Sequence, residues 1–204
     1  MPQRNTIKEY APDAYYHIFS RGVNKQPIFI DDLDKEYFLK LLSRYLSPAN
    51  EYNRRGEAYP SFAQKIELLS YCLMGNHVHL LIHQYPHEAI KKFMASLMTS
   101  YSKYFNLRHR RTGVLFESRY KAKLVDSDTY LTHLSRYIHL NPRYWRRYKY
   151  SSLNYYFSQK RPLWLSPEKV TDMFSCKQDY LTFVADYFEI HAQNEDDKMA
   201  YADE

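Results

Sequence analysis

The chain has 204 residues, 45% of them hydrophobic, and a net charge of +6. That length and apolar content support one packed core without staples and exclude general disorder, while two cysteines, Cys72 and Cys176, exclude a disulfide framework and point to a reducing, cytoplasmic setting. Four glycines leave no room for a glycine-rich phosphate loop, so no nucleotide cofactor is expected; a mean hydropathy of -0.67, with no long apolar run and no apolar stretch behind the first residues, predicts neither a membrane span nor a secretory leader.

In chain order, residues 15–23 are rich in aromatic and β-branched types and read as a strand ending near Gly22. Asp31-Asp32-Leu33-Asp34 opens a helix with acids in its first turn, and Phe38, Leu41, Leu42 and Tyr45 form its apolar stripe. Residues 48–60 are polar and read as a loop. Residues 66–74 and 77–83 read as two strands of a hairpin, turned at Gly75-Asn76. Helical spacing of Ile90, Phe93, Met94, Leu97, Tyr101 and Phe105 predicts a long helix over 87–108. Gly113 breaks it, 114–125 reads as a fourth strand, and Asp126 or Ser127 caps a helix that must stop near Asn141, because Pro142 disfavours helical geometry before it. The order β-α-β-β-α-β-α predicts an α+β, ferredoxin-like sandwich: an antiparallel sheet of four to five strands with helices mainly on one face. A domain of 1–157, a helical C-terminal extension over 158–190 and an acidic tail over 191–204 complete the expected organisation.

The charge is unevenly spread. Residues 101–150 hold 12 Lys and Arg against 3 Asp and Glu, whereas 191–204 carry a net -4. A concentrated basic stretch among 22 tyrosines suits a polyanion, and the active site is sought there. Alternation along a strand places His77 and His79 on one face, with Val78 and Leu80 turned to the core. Two imidazoles on a rigid face can hold a divalent ion if a carboxylate, an amide or water completes the shell. His83 shares their parity but lies beyond the pair, as a strand-end group. Tyr137 and Asn141, at i and i+4, share a helical face that Leu131, Leu134 and Ile138 turn away from the core. Asn141 is then either a further ligand or a cap before Pro142.

Four segments in order resemble the HUH single-tyrosine transposases, within them the REP-associated tyrosine transposases: Tyr16-His17-Ile18-Phe19-Ser20-Arg21-Gly22, the run Tyr71–Leu81, the run Gly113–Lys121, and Tyr137-Ile138-His139-Leu140-Asn141-Pro142. The resemblance covers roughly residues 10–157. It implies cleavage and strand transfer of single-stranded DNA, usually at a hairpin, by a monomer or homodimer using Mg²⁺ or Mn²⁺. By that resemblance His77 and His79 are the metal pair, Tyr137 the nucleophile that forms a 5′-phosphotyrosine, and Asn141 the third ligand. Related proteins often place Gln at that last position, and Arg143-Tyr144-Trp145 departs from the usual sequence after Asn-Pro. Arg119, Lys121 and Lys123, alternating along the fourth strand, and Arg136 are assigned to DNA phosphates.

Two rival functions remain open at the level of sequence. A non-catalytic nucleic-acid binder with a ferredoxin-like sheet needs no histidine pair. A metallohydrolase would use His77, His79 and His83 with water as nucleophile.

Overall fold

The computed structural model describes residues 10–158 and 160–191. Ten main elements follow in order: β1 (Ala14–Arg21), α1 (Asp32–Leu46), β2 (Ile66–Leu73), β3 (His77–Gln84), α2 (Ala89–Arg108), β4 (Lys121–Val125), α3 (Asp128–Leu140), α4 (Leu153–Phe157), α5 (Glu168–Thr171) and α6 (Lys177–His191). Beyond His191, the acidic tail expected over 191–204 lies outside the described residues. No helix among the described residues is long and apolar enough to cross a membrane.

The four strands form one antiparallel sheet in the order β2-β3-β1-β4, the ferredoxin-like arrangement. Side-chain alternation divides the sheet into two faces. Tyr16 and Ile18 of β1, Leu68 of β2 and Val78, Leu80 and Ile82 of β3 join the core that α1 and α2 cover with Phe38, Leu41, Phe93 and Leu97. The opposite parity, with Leu69, Cys72 and Leu81, meets Leu131, Leu134 and Ile138 of α3, then Tyr156, Val170, Tyr180 and Val184 of the later helices. A register shift between Leu68 and Ser70 marks a bulge in β2 and sets Ser70 opposite Leu81, on this second face.

Caps set the helix starts. The Asp31 side chain accepts from the Asp34 amide, and Ser127 accepts from the Tyr130 amide, each at 3.2 Å. At the far end of α2, Arg108 grips Asp31 at 2.6 Å and the wholly buried Asp34 at 2.5 Å, which ties the two helices of the first face together.

The fourth strand is shorter than its sequence suggests. Leu115 and Phe116 are adjacent and both buried, so the in–out alternation of a strand fails there, and regular pairing starts at Lys121. Residues 113–117 instead pack along the segment after β1, through Val23 N–H to Leu115 O at 3.0 Å and Glu117 N–H to Arg21 O at 3.0 Å. Gly22 is obligatory at this crossing: a Cβ there would lie 2.0 Å from Gln26 O.

Of the residues after 160, Leu165 and Ser166 meet the sheet directly. Leu165 bridges to Leu68 of β2, and the Ser166 amide donates to Leu68 O at 2.8 Å.

Candidate active site

β3 presents His77 and His79 on its second face, and α3 lies over that face. His77 Nε2 is 3.0 Å from Asn141 Oδ1, so the strand pair and the end of the helix meet. The Tyr137 ring stands edge-on to the His79 ring with centroids 5.6 Å apart, and Tyr137 and Asn141 are linked by a side-chain hydrogen bond. Asn141 sits at the helix C-cap in helical conformation, so it is both the end of α3 and the contact to His77.

Two further residues complete the cluster, and neither stands out by composition or spacing. His17, on the neighbouring β1, places Nε2 2.9 Å from His79 Nδ1 and stacks between Phe19 and the His79 ring. The signal was parity: His17 alternates with the buried Tyr16 and Ile18, so it must face the histidine side. Arg21 is the cross-strand partner of His77, and its charge acts on His77, His79 and Tyr137.

Burial dominates the electrostatics. It holds the His77 and His79 imidazoles below the ordinary histidine range and His17 down to about 3, so all three are neutral near pH 7. The Tyr137 hydroxyl is pushed up by burial, while the Asn141 hydrogen bond and Arg21 oppose that rise. Tyr137 is therefore a neutral phenol in the resting protein.

The donor set fits a divalent cation. His77 Nδ1 lies 2.7 Å from Asn76 Oδ1, to which it donates, leaving the Nε2 lone pair turned toward Asn141 Oδ1. Two acceptors then face each other at 3.0 Å, an arrangement relieved by turning the Asn141 amide or by a cation ligated by both. Adjacent corners of an octahedron with ~2.1 Å bonds are separated by about this distance. His79 Nδ1 is likewise committed to His17, the pattern by which outer groups orient metal-binding imidazoles. Among the described residues no three His, Cys, Asp or Glu side chains are arranged to hold a metal; an ion at the His77–His79 pair would need a donor of another type, and the Asn141 amide is the one in contact with His77. His83 stays apart, buried between Asp13 at 2.9 Å and Glu67 at 3.4 Å.

The basic residues divide. Lys121 and Lys123 pair in register with Phe19 and His17 and so lie on the histidine face; Lys121 stands over the Phe19 ring and Lys123 over the Tyr130 ring. Arg119 is exposed just before β4, outside the alternation. Arg136 lies against α6, over the Phe183 and Tyr187 rings at 4.1 and 4.5 Å, and donates to Phe183 O.

Behind Tyr137, His139 fastens α3 from within. It is fully buried, with Nδ1 2.7 Å from the Tyr180 hydroxyl of α6 and Nε2 2.8 Å from Ser152 Oγ. Ser135 Oγ meets the same Tyr180 hydroxyl at 3.0 Å, and Ser152 Oγ accepts from the Tyr71 amide of β2 at 2.9 Å. The helix carrying Tyr137 is thus bonded on its inner side to both the sheet and α6.

The sequence pattern of the family described as "Transposase IS200 like" matches residues 59–141. Over that segment the chain is similar to the IS200-like transposases. The matched stretch contains His77, His79, Tyr137 and Asn141, and leaves out His17, Arg21 and Tyr180. No curated protein matches the chain. Among solved structures it is similar to a REP-associated tyrosine transposase bound to a REP hairpin, at 13% identity and a TM-score of 0.53, over 85% of this chain and 96% of that one. A putative transposase from Deinococcus radiodurans R1 matches at 16% identity and a TM-score of 0.40, over 68% of this chain and 95% of that one. The first of these likenesses is one of fold: the α+β sheet and helix arrangement is that of a tyrosine transposase.

Proposed function

We propose that this protein cleaves and rejoins single-stranded DNA, with Tyr137 as nucleophile and a divalent ion, Mg²⁺ or Mn²⁺, held by His77, His79 and Asn141. The observation that carries this reading is the convergence of a helix-borne tyrosine and amide on two neutral, oriented imidazoles.

The chain's own groups have distinct tasks. The Tyr137 oxygen attacks the phosphorus in line, a 5′-phosphotyrosine bond forms, and the 3′-oxygen leaves and takes up a proton as the phenol loses one. A later 3′-hydroxyl reverses the exchange, so the phosphodiester energy is kept and no nucleotide is consumed. Arg21 offsets negative charge beside the phenol, which burial otherwise keeps protonated. When bound, the ion supplies Lewis-acid polarisation of a phosphate oxygen. His17 holds His79 in one tautomer, and Asn76 does the same for His77. Lys121 and Lys123 fit phosphates on either side of the cleft, and Arg119 contacts the strand further out. Arg136 serves the α3–α6 junction and is left out of the DNA path. Because His17, Arg21, His77, His79, Tyr137 and Asn141 come from one chain, a monomer holds a complete site. The similar solved protein is bound to a hairpin, which makes hairpin-bearing single strands the first substrates to try.

The test is incubation with labelled single-stranded DNA carrying a hairpin, with Mn²⁺, followed by denaturing gels. A covalent protein–DNA band that maps to Tyr137 by mass spectrometry is expected. Turnover with no adduct would transfer the site to water-based hydrolysis, and binding with neither would leave a nucleic-acid binder.

A further inference from the structure

Phe19 breaks the rule that sorts the rest of β1. Tyr16 and Ile18 enter the core under α1 and α2, whereas Phe19 takes the other parity, with His17 and Arg21 on its own strand and His79 and Lys121 beside it. Among the described residues it joins neither apolar cluster, and it is only half-buried. Its ring lies against imidazoles instead. The centroid is 4.8 Å from that of His17, with planes 29° apart, and 6.1 Å from that of His79, with planes 25° apart. Lys121 Nζ stands over the ring, 5.7 Å from its centroid. A phenyl ring left partly in water forgoes some of the stabilisation that full burial would give. Its place on this polar face is explained if a flat partner covers it.

The pairing of a ring with a cation recurs one step along β4. Lys123 Nζ stands 5.5 Å from the centroid of Tyr130, a half-buried ring in the first turn of α3. Lys121 and Lys123 are two strand residues, about 6.6 Å, apart. Nucleotides on one strand of a duplex advance ~3.4 Å each. A repeat of nearly twice that length fits an extended single strand, in which each base has left its neighbour and can lie on a protein ring. The place is also right. Phe19 pairs in register with His79 on one side and Lys121 on the other, at about 4.8 Å per strand, and the Tyr137 ring stands 5.6 Å from that of His79. The Phe19 ring is thus one strand away from the proposed metal pair and nucleophile.

We propose that Phe19 and Tyr130 are the stacking platforms for two consecutive unpaired bases of the bound strand. The Phe19 base belongs to a nucleotide that flanks the scissile phosphate, and Lys121 and Lys123 meet the accompanying phosphates. Every base has a π-face and every nucleotide carries a phosphate, so the two subsites grip the strand without reading its sequence. A base inside a duplex is already stacked on both sides, which restricts these subsites to single strands. The inference rests on the reading of the protein as a single-strand DNA enzyme and adds which rings hold the bases beside the cut.

The experiment uses the full chain with Tyr137→Phe, without metal, and a twelve-residue oligothymidylate in which 5-iodo-2′-deoxyuridine replaces one thymidine. Ultraviolet crosslinking followed by peptide mapping should label both Phe19 and Tyr130, and annealing the complementary strand should remove both labels. In binding titrations Phe19→Leu and Tyr130→Leu should each weaken affinity about 5–100-fold, and Phe19→Trp, which keeps a ring, should restore it. Neither Leu variant should change the dependence of binding on salt, whereas Lys121→Ala should lower the slope of log affinity against log salt by about 0.7. A label missing from either ring, or an affinity indifferent to either Leu substitution, would overturn the two subsites, and a wild-type protein that still forms its Tyr137 adduct would then keep the cleavage reading intact. Labels on both rings in a protein whose wild type forms no adduct would sustain the subsites and overturn the Tyr137 reading.

Discussion

The two faces of the sheet differ in kind. Under α1 and α2, strand β3 contributes Val78, Leu80 and Ile82, and apolar packing dominates. Under α3 the same strand contributes His77, His79 and His83, and β1 adds His17. The second face is covered by apolar packing too, from Leu131, Leu134 and Ile138, but it adds directed contacts: imidazole to imidazole, amide to imidazole, and the Tyr180–His139–Ser152 chain behind them. One face supplies stability through area removed from water, which is insensitive to the exact atoms. The other adds orientation, in which paired polar atoms fix the side chains around Tyr137. Two-residue alternation lets one short strand serve both.

The sharpest way to break this contrast is to remove one oxygen. Tyr137→Phe keeps the ring that lies edge-on to His79 and His17, so folding and DNA affinity should hold, yet adduct formation should vanish in a gel assay. Adduct at the parental level would mean the second face is not catalytic through this residue. Leu41→Ala, on the first face, should do the reverse. It should lower stability by about 2–5 kcal/mol in urea unfolding while adduct formation per folded molecule is kept.

Effects of intermediate size should come from the orienting groups. His17→Phe removes the partner of His79 Nδ1 without touching the proposed ligands, and should cost about 10–100-fold in Mn²⁺ affinity or cleavage rate, read by titration and single-turnover kinetics. An unchanged affinity would show that His79 needs no such support. His79 is itself buried, so His79→Ala should also destabilise the fold, unlike the half-exposed His77. Tyr180→Phe withdraws a hydroxyl from both His139 and Ser135 and should lower stability by about 1–3 kcal/mol. If α6 holds α3 in place, its cleavage rate should fall as well, where Leu41→Ala leaves the rate alone.

Much of this contrast is legible in the sequence. Alternation alone placed His77 and His79 together and sent Val78 and Leu80 the other way, and i,i+4 spacing joined Tyr137 to Asn141. Sequence periodicity reports which face of an element a residue occupies; it is silent on which elements that face meets. Hence His17 was passed over, although its parity was available, because its partner is 62 residues away. Arg136 read as a free cation for DNA because nothing local reveals α6 beside it. Residues 158–190 read only as a helical extension because the contacts that join them to the sheet and to α3, Leu165 to Leu68 and Tyr180 to His139, are long-range. The start of β4 was misjudged for a local reason: Leu115-Phe116 is β-prone by composition, but both side chains are buried, which a half-covered edge strand cannot arrange.

The smallest expected effect is one of pH, and it separates the faces without touching the active site. His83 lies on the second face, buried beside Asp13, Glu67 and Lys169 and flanked by Tyr15 and Tyr85. Burial, and then the Lys169 charge, hold its imidazole below the ordinary histidine range; Glu67 and Asp13 pull it back only in part. In the folded chain it stays neutral where an unfolded histidine, with a pKa of about 6.5, takes up a proton. The unfolded state then binds more protons, so stability is fully present above about pH 6.5 and falls as the pH drops below it. His83→Gln keeps a neutral polar side chain and removes the titration. Its plot of unfolding free energy against pH should be flatter than the parent's between about pH 5 and 6.5, a window that lies above the usual carboxylate pKa values. Leu41→Ala should shift the whole curve downward with its slope unchanged. Equal slopes for the parent and His83→Gln would mean that His83 is protonated in the folded protein, and that this end of the second face tolerates charge.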